Sequence, residues 1–115
     1  MTTITLDRTD DLPLAFDGEL VAEADSFQAG KERYTVLRLY RLSGGRGFVL
    51  ESVGETAVVG EVTIRSATVC PLLGDLLATL RKSDNSRGTR RSYLTGLAMS
   101  LLEDAVANRA LVLPD

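Results

Sequence analysis

The chain has 115 residues, 44% of them hydrophobic and 25% charged, with a formal net charge of −3. That is one domain with enough apolar residues for a core of its own, and no run approaches the roughly 18 apolar residues of a membrane span. Histidine is absent, which excludes imidazole-based triads, His-ligated zinc and the commonest general base near neutral pH.

Charge is unevenly spread. Residues 1–25 hold Asp7, Asp10, Asp11, Asp17, Glu19, Glu23 and Asp25 against Arg8 alone, whereas residues 81–91 hold Arg81, Lys82, Arg87, Arg90 and Arg91 against Asp84 alone. The opening residues lack the basic and apolar regions of a signal peptide, and the single Cys70 has no internal disulfide partner. A cytoplasmic location is therefore expected.

In chain order, residues 1–12 read as a flexible tail in which Ile4 and Leu6 can add a short edge strand. From Leu14 the residues alternate. Leu14, Phe16, Gly18, Leu20, Ala22 and Ala24 fall on one side; Ala15, Asp17, Glu19, Val21, Glu23 and Asp25 fall on the other. This predicts one strand with a row of carboxylates along its outer face. Residues 25–32 read as a loop.

The segments 33–42 and 46–53 are rich in β-branched, aromatic and aliphatic residues and flank Gly44-Gly45, a pair suited to a turn with two positive φ angles. With Ser43 facing Arg46, Tyr40 faces Val49, Leu39 faces Leu50, Arg38 faces Glu51 and Leu37 faces Ser52. Apolar meets apolar, and the internal cation meets the internal acid. Gly54-Glu55 reads as a second tight turn, returning residues 56–64 as a fourth strand with a bulge at Gly60. Leu37, Leu39, Phe48, Leu50 and Val59 are expected to share one face with Phe16 and Leu20.

After Ile64 the apolar spacing reads as helical. Cys70-Pro71 opens a helix with a stripe of Leu72, Leu73, Leu76, Leu77 and Leu80, and residues 83–88 break it. A longer helix is expected from Thr89 to Asn108, burying Tyr93, Leu94, Leu97, Ala98, Leu101, Leu102, Ala105 and Val106. The expected fold is thus α+β: a single domain, 1–115, with a four-stranded antiparallel β-meander followed by a two-helix hairpin packed on the sheet. The helices cover the Leu37/Leu39/Phe48/Leu50 face. The opposite face, with Tyr34, Val36 and Tyr40 around Arg38, then needs its own cover, from a helix or from a second copy of the chain.

The residues offer little for catalysis. Cys70 before an apolar helix reads as a small buried hydrophobe, and Gly44-Gly45-Arg46-Gly47 lacks the lysine and the following helix of a phosphate-binding loop. No metal or cofactor site is expected. Three surfaces remain as binding candidates. One is acidic (Asp17, Glu19, Glu23, Asp25), one is basic (Arg81, Lys82, Arg87, Arg90, Arg91), and one is a self-association face (Tyr34, Val36, Arg38, Tyr40). Arg90 and Arg91 are expected in the first turn of the long helix, where each opposes the macrodipole by about 0.3–1 kcal/mol, a placement that favours a function for them.

The segments Phe16–Ser26 and Arg33–Arg41 are similar to small uncharacterised proteins of bacterial plasmids and phages. The resemblance implies a mobile-element setting, in which proteins of this size often act as inhibitors or adaptors, anti-CRISPR and antirestriction proteins among them. The expected function is a non-enzymatic protein-binding protein, most concretely an inhibitor of a host nucleic-acid-targeting defence complex. Alternatives are a self-associating structural or regulatory protein and a small nucleic-acid binder using residues 81–91.

Overall fold

The computed structural model describes residues 2–84 and 91–111. Five strands, β1 (Thr2–Leu6), β2 (Leu14–Asp25), β3 (Arg33–Leu42), β4 (Phe48–Thr56) and β5 (Ile64–Cys70), form one antiparallel sheet in sequence order. Then come α1 (Leu73–Leu80), a two-stranded ribbon of β6 (Arg81–Asp84) and β7 (Arg91–Leu94), and α2 (Gly96–Ala107). The fold is α+β, as the sequence predicts. The sheet has five strands rather than four, and the ribbon separates the two helices instead of a simple break.

The central hairpin has the expected register: Tyr40 pairs with Val49, Leu39 with Leu50, Arg38 with Glu51 and Leu37 with Ser52. Gly44 and Gly45 take φ of 73° and 70°, the left-handed conformation in which only glycine is unstrained. Beyond the hairpin the expectation fails. β4 continues through Gly54-Glu55 to Thr56, and the chain reverses over residues 57–63. Three contacts hold this loop. Arg33 forms an ion pair with Glu61, the Thr56 hydroxyl donates to Glu61 Oε1 at 2.6 Å, and the Ala57 N–H donates to the Glu32 carbonyl at 2.8 Å. Val59, expected in the core, is fully exposed at the turn. The returning strand is Ile64–Cys70, so Cys70 ends a strand rather than opening a helix.

β2 departs from strict alternation. Its register against β3 slips between Leu20 and Ala22, leaving Val21 as an extra residue in a β-bulge. A bulge exchanges the faces of everything beyond it. Glu19 therefore stands beside Arg41 on the face that carries the helices, whereas Glu23 stands beside Arg38 on the opposite face.

Two apolar clusters result. Leu37, Leu39, Leu50, Cys70 and Ala22 pack against Leu76 and Leu80 of α1 and Ala98, Leu101, Leu102 and Ala105 of α2. On the other face Leu6, Tyr40, Val49 and Ala67 cluster with Ile4, Leu14, Phe16 and Leu42. Leu6 of the first strand meets Ala67 of the last because the sheet curls into a half-barrel. The Thr9 N–H donates to the Arg65 carbonyl at 2.9 Å, and the Arg65 N–H donates to Thr9 Oγ1 at 2.7 Å, tying the two ends of the sheet together. Phe16 thus belongs to the inner cluster and not to the helix-covered face. The sheet's own curvature buries the inner cluster.

Both helices begin where local chemistry can satisfy their free N–H groups. Asp75 Oδ2 accepts the Leu72 N–H at 3.0 Å ahead of α1, and Thr95 Oγ1 accepts the Ala98 N–H at 3.1 Å to cap α2. Thr95 starts the second helix six residues later than periodicity suggests. Tyr93 and Val106, expected to be buried, are exposed.

Candidate functional site

The acidic row is not a row. The bulge at Val21 sends Asp17 and Glu19 to one face of β2 and Glu23 and Asp25 to the other. Their charge is also engaged locally. Thr3 Oγ1 donates to Asp17 Oδ1 at 2.6 Å, Arg41 forms an ion pair with Glu19, Arg38 Nε donates to Glu23 Oε2 at 2.8 Å, and Asp25 Oδ1 accepts the Phe27 N–H at 3.0 Å. A single continuous acidic surface, as alternation predicts, is therefore absent from β2.

The proposed self-association face is largely internal. Val36 and Tyr40 are buried, and Tyr34 and Arg38 are half-buried. Arg38 bridges Glu23 and Glu51, while the Tyr40 hydroxyl donates to Glu51 Oε1 at 3.0 Å. Burial, reinforced by the nearby Glu51 carboxylate, pushes the Tyr40 phenol up to about 12. Hydrogen bonding to Glu23 holds the Arg38 guanidinium above its ordinary value. This network ties β2, β3 and β4 together on the inner face of the half-barrel.

The basic segment keeps its prominence and changes its shape. Arg81 and Lys82 lie exposed at the start of β6, whose strand pairs with β7 through Arg81/Leu94, Lys82/Tyr93, Ser83/Ser92 and Asp84/Arg91. Arg91 is therefore on a strand ahead of α2 and not in its first turn. Arg87 and Arg90 lie outside the described residues. Arg8, Arg33, Arg38, Arg41 and Arg65 each reach a carboxylate, whereas Arg81 and Lys82, like Arg46 and Arg109, form no ion pair among the described residues. The ribbon's two strands pack chiefly against each other.

Cys70 is fully buried between sheet and α1, and that burial pushes its thiol above the ordinary value. Its sulfur lies 3.8 Å from Thr79 Oγ1. Among the described residues no group of three or more acidic, cysteine or histidine side chains is placed to hold a metal ion.

Periodicity overlooked one feature. A cleft of about 400 Å³ opens beside the ribbon, floored by Leu37 and Leu50 and walled by Thr35, Ser52, Ser66, Thr68, Thr79 and Thr95 with Lys82. Thr35 and Ser52 share the strand phase of Leu37 and Leu50, so hydroxyls occupy core-phase positions there. That signal becomes readable only once Ser66 and Thr68 are placed on β5 rather than before a helix.

The fold and these surfaces define an α+β half-barrel carrying a basic ribbon and a hydroxyl-lined cleft. No known family, curated protein or solved structure matches the chain.

Proposed function

We propose that the chain is a non-catalytic binding protein whose contact element is the β6–β7 ribbon, and that its partner is an acidic protein surface. In its most concrete form that partner is a subunit of a host nucleic-acid-targeting defence complex, met in the cytoplasm and inhibited by occupancy. The observation that carries this reading is that Arg81 and Lys82 are exposed and form no ion pair among the described residues, on a ribbon whose strands pack chiefly against each other, while Arg8, Arg33, Arg38, Arg41 and Arg65 each reach a carboxylate. The sequence adds Arg87, Arg90 and Arg91 to the same segment. A net positive charge concentrated on one element steers an acidic surface and speeds encounter.

A second reading, nucleic acid as the direct partner, draws on the ribbon's shape, since the major groove of B-form DNA admits a two-stranded β-ribbon. One experiment separates them. The protein and its Arg81→Glu/Lys82→Glu variant are used for affinity capture from lysate of the source organism, with and without nuclease. A stoichiometric protein retained after nuclease treatment by the natural chain and lost by the variant supports the first reading. Capture that depends on intact nucleic acid supports the second. Equal recovery by both chains, or recovery of the bait alone, rejects the ribbon as the contact element.

A further inference from the structure

We propose that the cleft between the sheet and the α1/ribbon/α2 layer binds a small hydroxylated organic anion, of the class of a sugar phosphate. The cleft lies at the lower end of the size range of ligand sites. Its lining is chemically one-sided. Among the described residues that line it, Lys82 is the only charged one and none is a carboxylate, and six hydroxyls surround a floor of two leucines.

Those hydroxyls are available in a definite pattern. Thr79 Oγ1 spends its proton on the Asp75 carbonyl at 2.8 Å and retains only lone pairs. Thr95 Oγ1 accepts from Ala98 and keeps its proton to donate. Thr35, Ser52, Ser66 and Thr68 have no side-chain hydrogen bond among the described residues, so each offers both a donor and an acceptor. A ligand with several hydroxyls matches this mixed lining, while the Leu37/Leu50 floor suits the C–H face of a sugar ring. Lys82 at the mouth matches an anionic substituent as a point charge. Leu97 lies in the first turn of α2, whose N–H groups lack intrahelical acceptors and favour negative charge.

The site is distinct from the ribbon's macromolecular contact, although Lys82 belongs to both. The test is a ¹H–¹⁵N NMR titration of the full chain with ribose 5-phosphate, with ribose and inorganic phosphate as controls. Saturable shifts at Ser52, Ser66, Thr68 and Ala98 with ribose 5-phosphate, and weaker ones with either control, are expected. Lys82→Gln should weaken binding roughly tenfold, the loss of one charge-assisted hydrogen bond. Ser52→Leu, which extends the floor into the cleft, should abolish binding while the remaining spectrum stays native and capture by the ribbon is unchanged. No shift at these residues up to about 10 mM, or equal shifts from inorganic phosphate, overturns the proposal.

Discussion

Arg38 and Glu51 stand opposite each other across β3 and β4, with Arg38 Nη1 3.4 Å from Glu51 Oε1, and Glu51 is the one charged residue that is buried among those described. The pair is asymmetric. Arg38 has a second partner in Glu23, whereas among the described residues Glu51 has only Arg38 and the Tyr40 hydroxyl. Arg38→Leu should therefore cost about 3 kcal/mol, because it strands a buried carboxylate. Glu51→Gln, which leaves an acceptor for Tyr40 and leaves Arg38 paired with Glu23, should cost about 1 kcal/mol. Urea denaturation of the two variants measures the difference; equal costs would mean that Glu51 is hydrated.

The raised phenol of Tyr40 has a consequence at high pH. Its unfolded-state value is the ordinary 10.0, and its folded value is about 12. Between the two the unfolded chain has released a proton that the native state still holds, so stability falls as pH rises. Below about pH 10 the contribution is fully present. Ultraviolet titration should show one of the three tyrosines ionising about two pH units late, and Tyr40→Phe should remove that step and flatten the alkaline loss of stability.

Glu61 gives the opposite sign at the other end of the scale. Hydrogen bonds from Arg33 and then Thr56 hold its carboxyl down at about 2. The unfolded carboxyl protonates first, so its stabilising effect is present above its ordinary range near 4.5 and disappears as pH falls toward 2. Amide hydrogen exchange in residues 57–63, measured against a Glu61→Gln variant, should show the loop loosened at neutral pH in the variant. In the natural chain the same loosening should appear only in acid.

Helix α2 covers the part of β2 that β1 leaves unpaired. Asp104 Oδ2 accepts the Glu23 N–H at 3.0 Å, and Asn108 Nδ2 donates to the Val21 carbonyl at 2.9 Å, so the bulge's outward backbone groups are satisfied by side chains. Such edges otherwise invite pairing with another chain. The Asp104→Ala/Asn108→Ala double variant should lose about 2 kcal/mol and protection of the Glu23 amide. A concentration-dependent rise in apparent mass, read by light scattering, would mark the uncovered edge.

Two glycines should respond in opposite directions to alanine. Gly47 has φ of 110°, and a Cβ there would lie 2.5 Å from the Cys70 carbonyl oxygen and 2.6 Å from that of Pro71, both of them backbone atoms. Gly47→Ala should therefore lower the melting temperature sharply or prevent folding. Gly74, inside α1 with open space around its Cα, should gain about 0.5–1 kcal/mol from the same change.

Local chemistry alone was enough for the central hairpin. Alternation, a Gly-Gly turn and the match of Arg38 to Glu51 specify a register that involves only neighbouring residues, and the structure has that register. Leu76, Leu80, Leu101 and Leu102 likewise revealed their buried positions through helical spacing. Misreadings fell where one local signal had two physical solutions. Gly54 can end a strand or lie within one; the ion pair of Glu61 with the distant Arg33 and the pairing of Ile64–Cys70 with β4 decided for the latter. Arg91–Leu94 suits helix or strand, and Thr95, an N-cap residue that periodicity ignores, marks the boundary.

The candidate sites show the same division. That residues 81–91 are basic is a property of the sequence. That Arg81 and Lys82 sit on a ribbon, and that Lys82 also faces a cleft built from β3, β4, β5 and both helices, depends on where non-local strands lie. The acidic row was a property of alternation alone, and one extra residue at Val21 divided it between two faces. Bulges and sheet curvature are set by the packing of whole layers: here by the bonds from Asp104 and Asn108 to the β2 edge, and by those of Thr9 to Arg65. Residue order determined the central hairpin and the sign of each segment's charge, whereas only tertiary contact decided where the remaining strands lie and which side chains share a face.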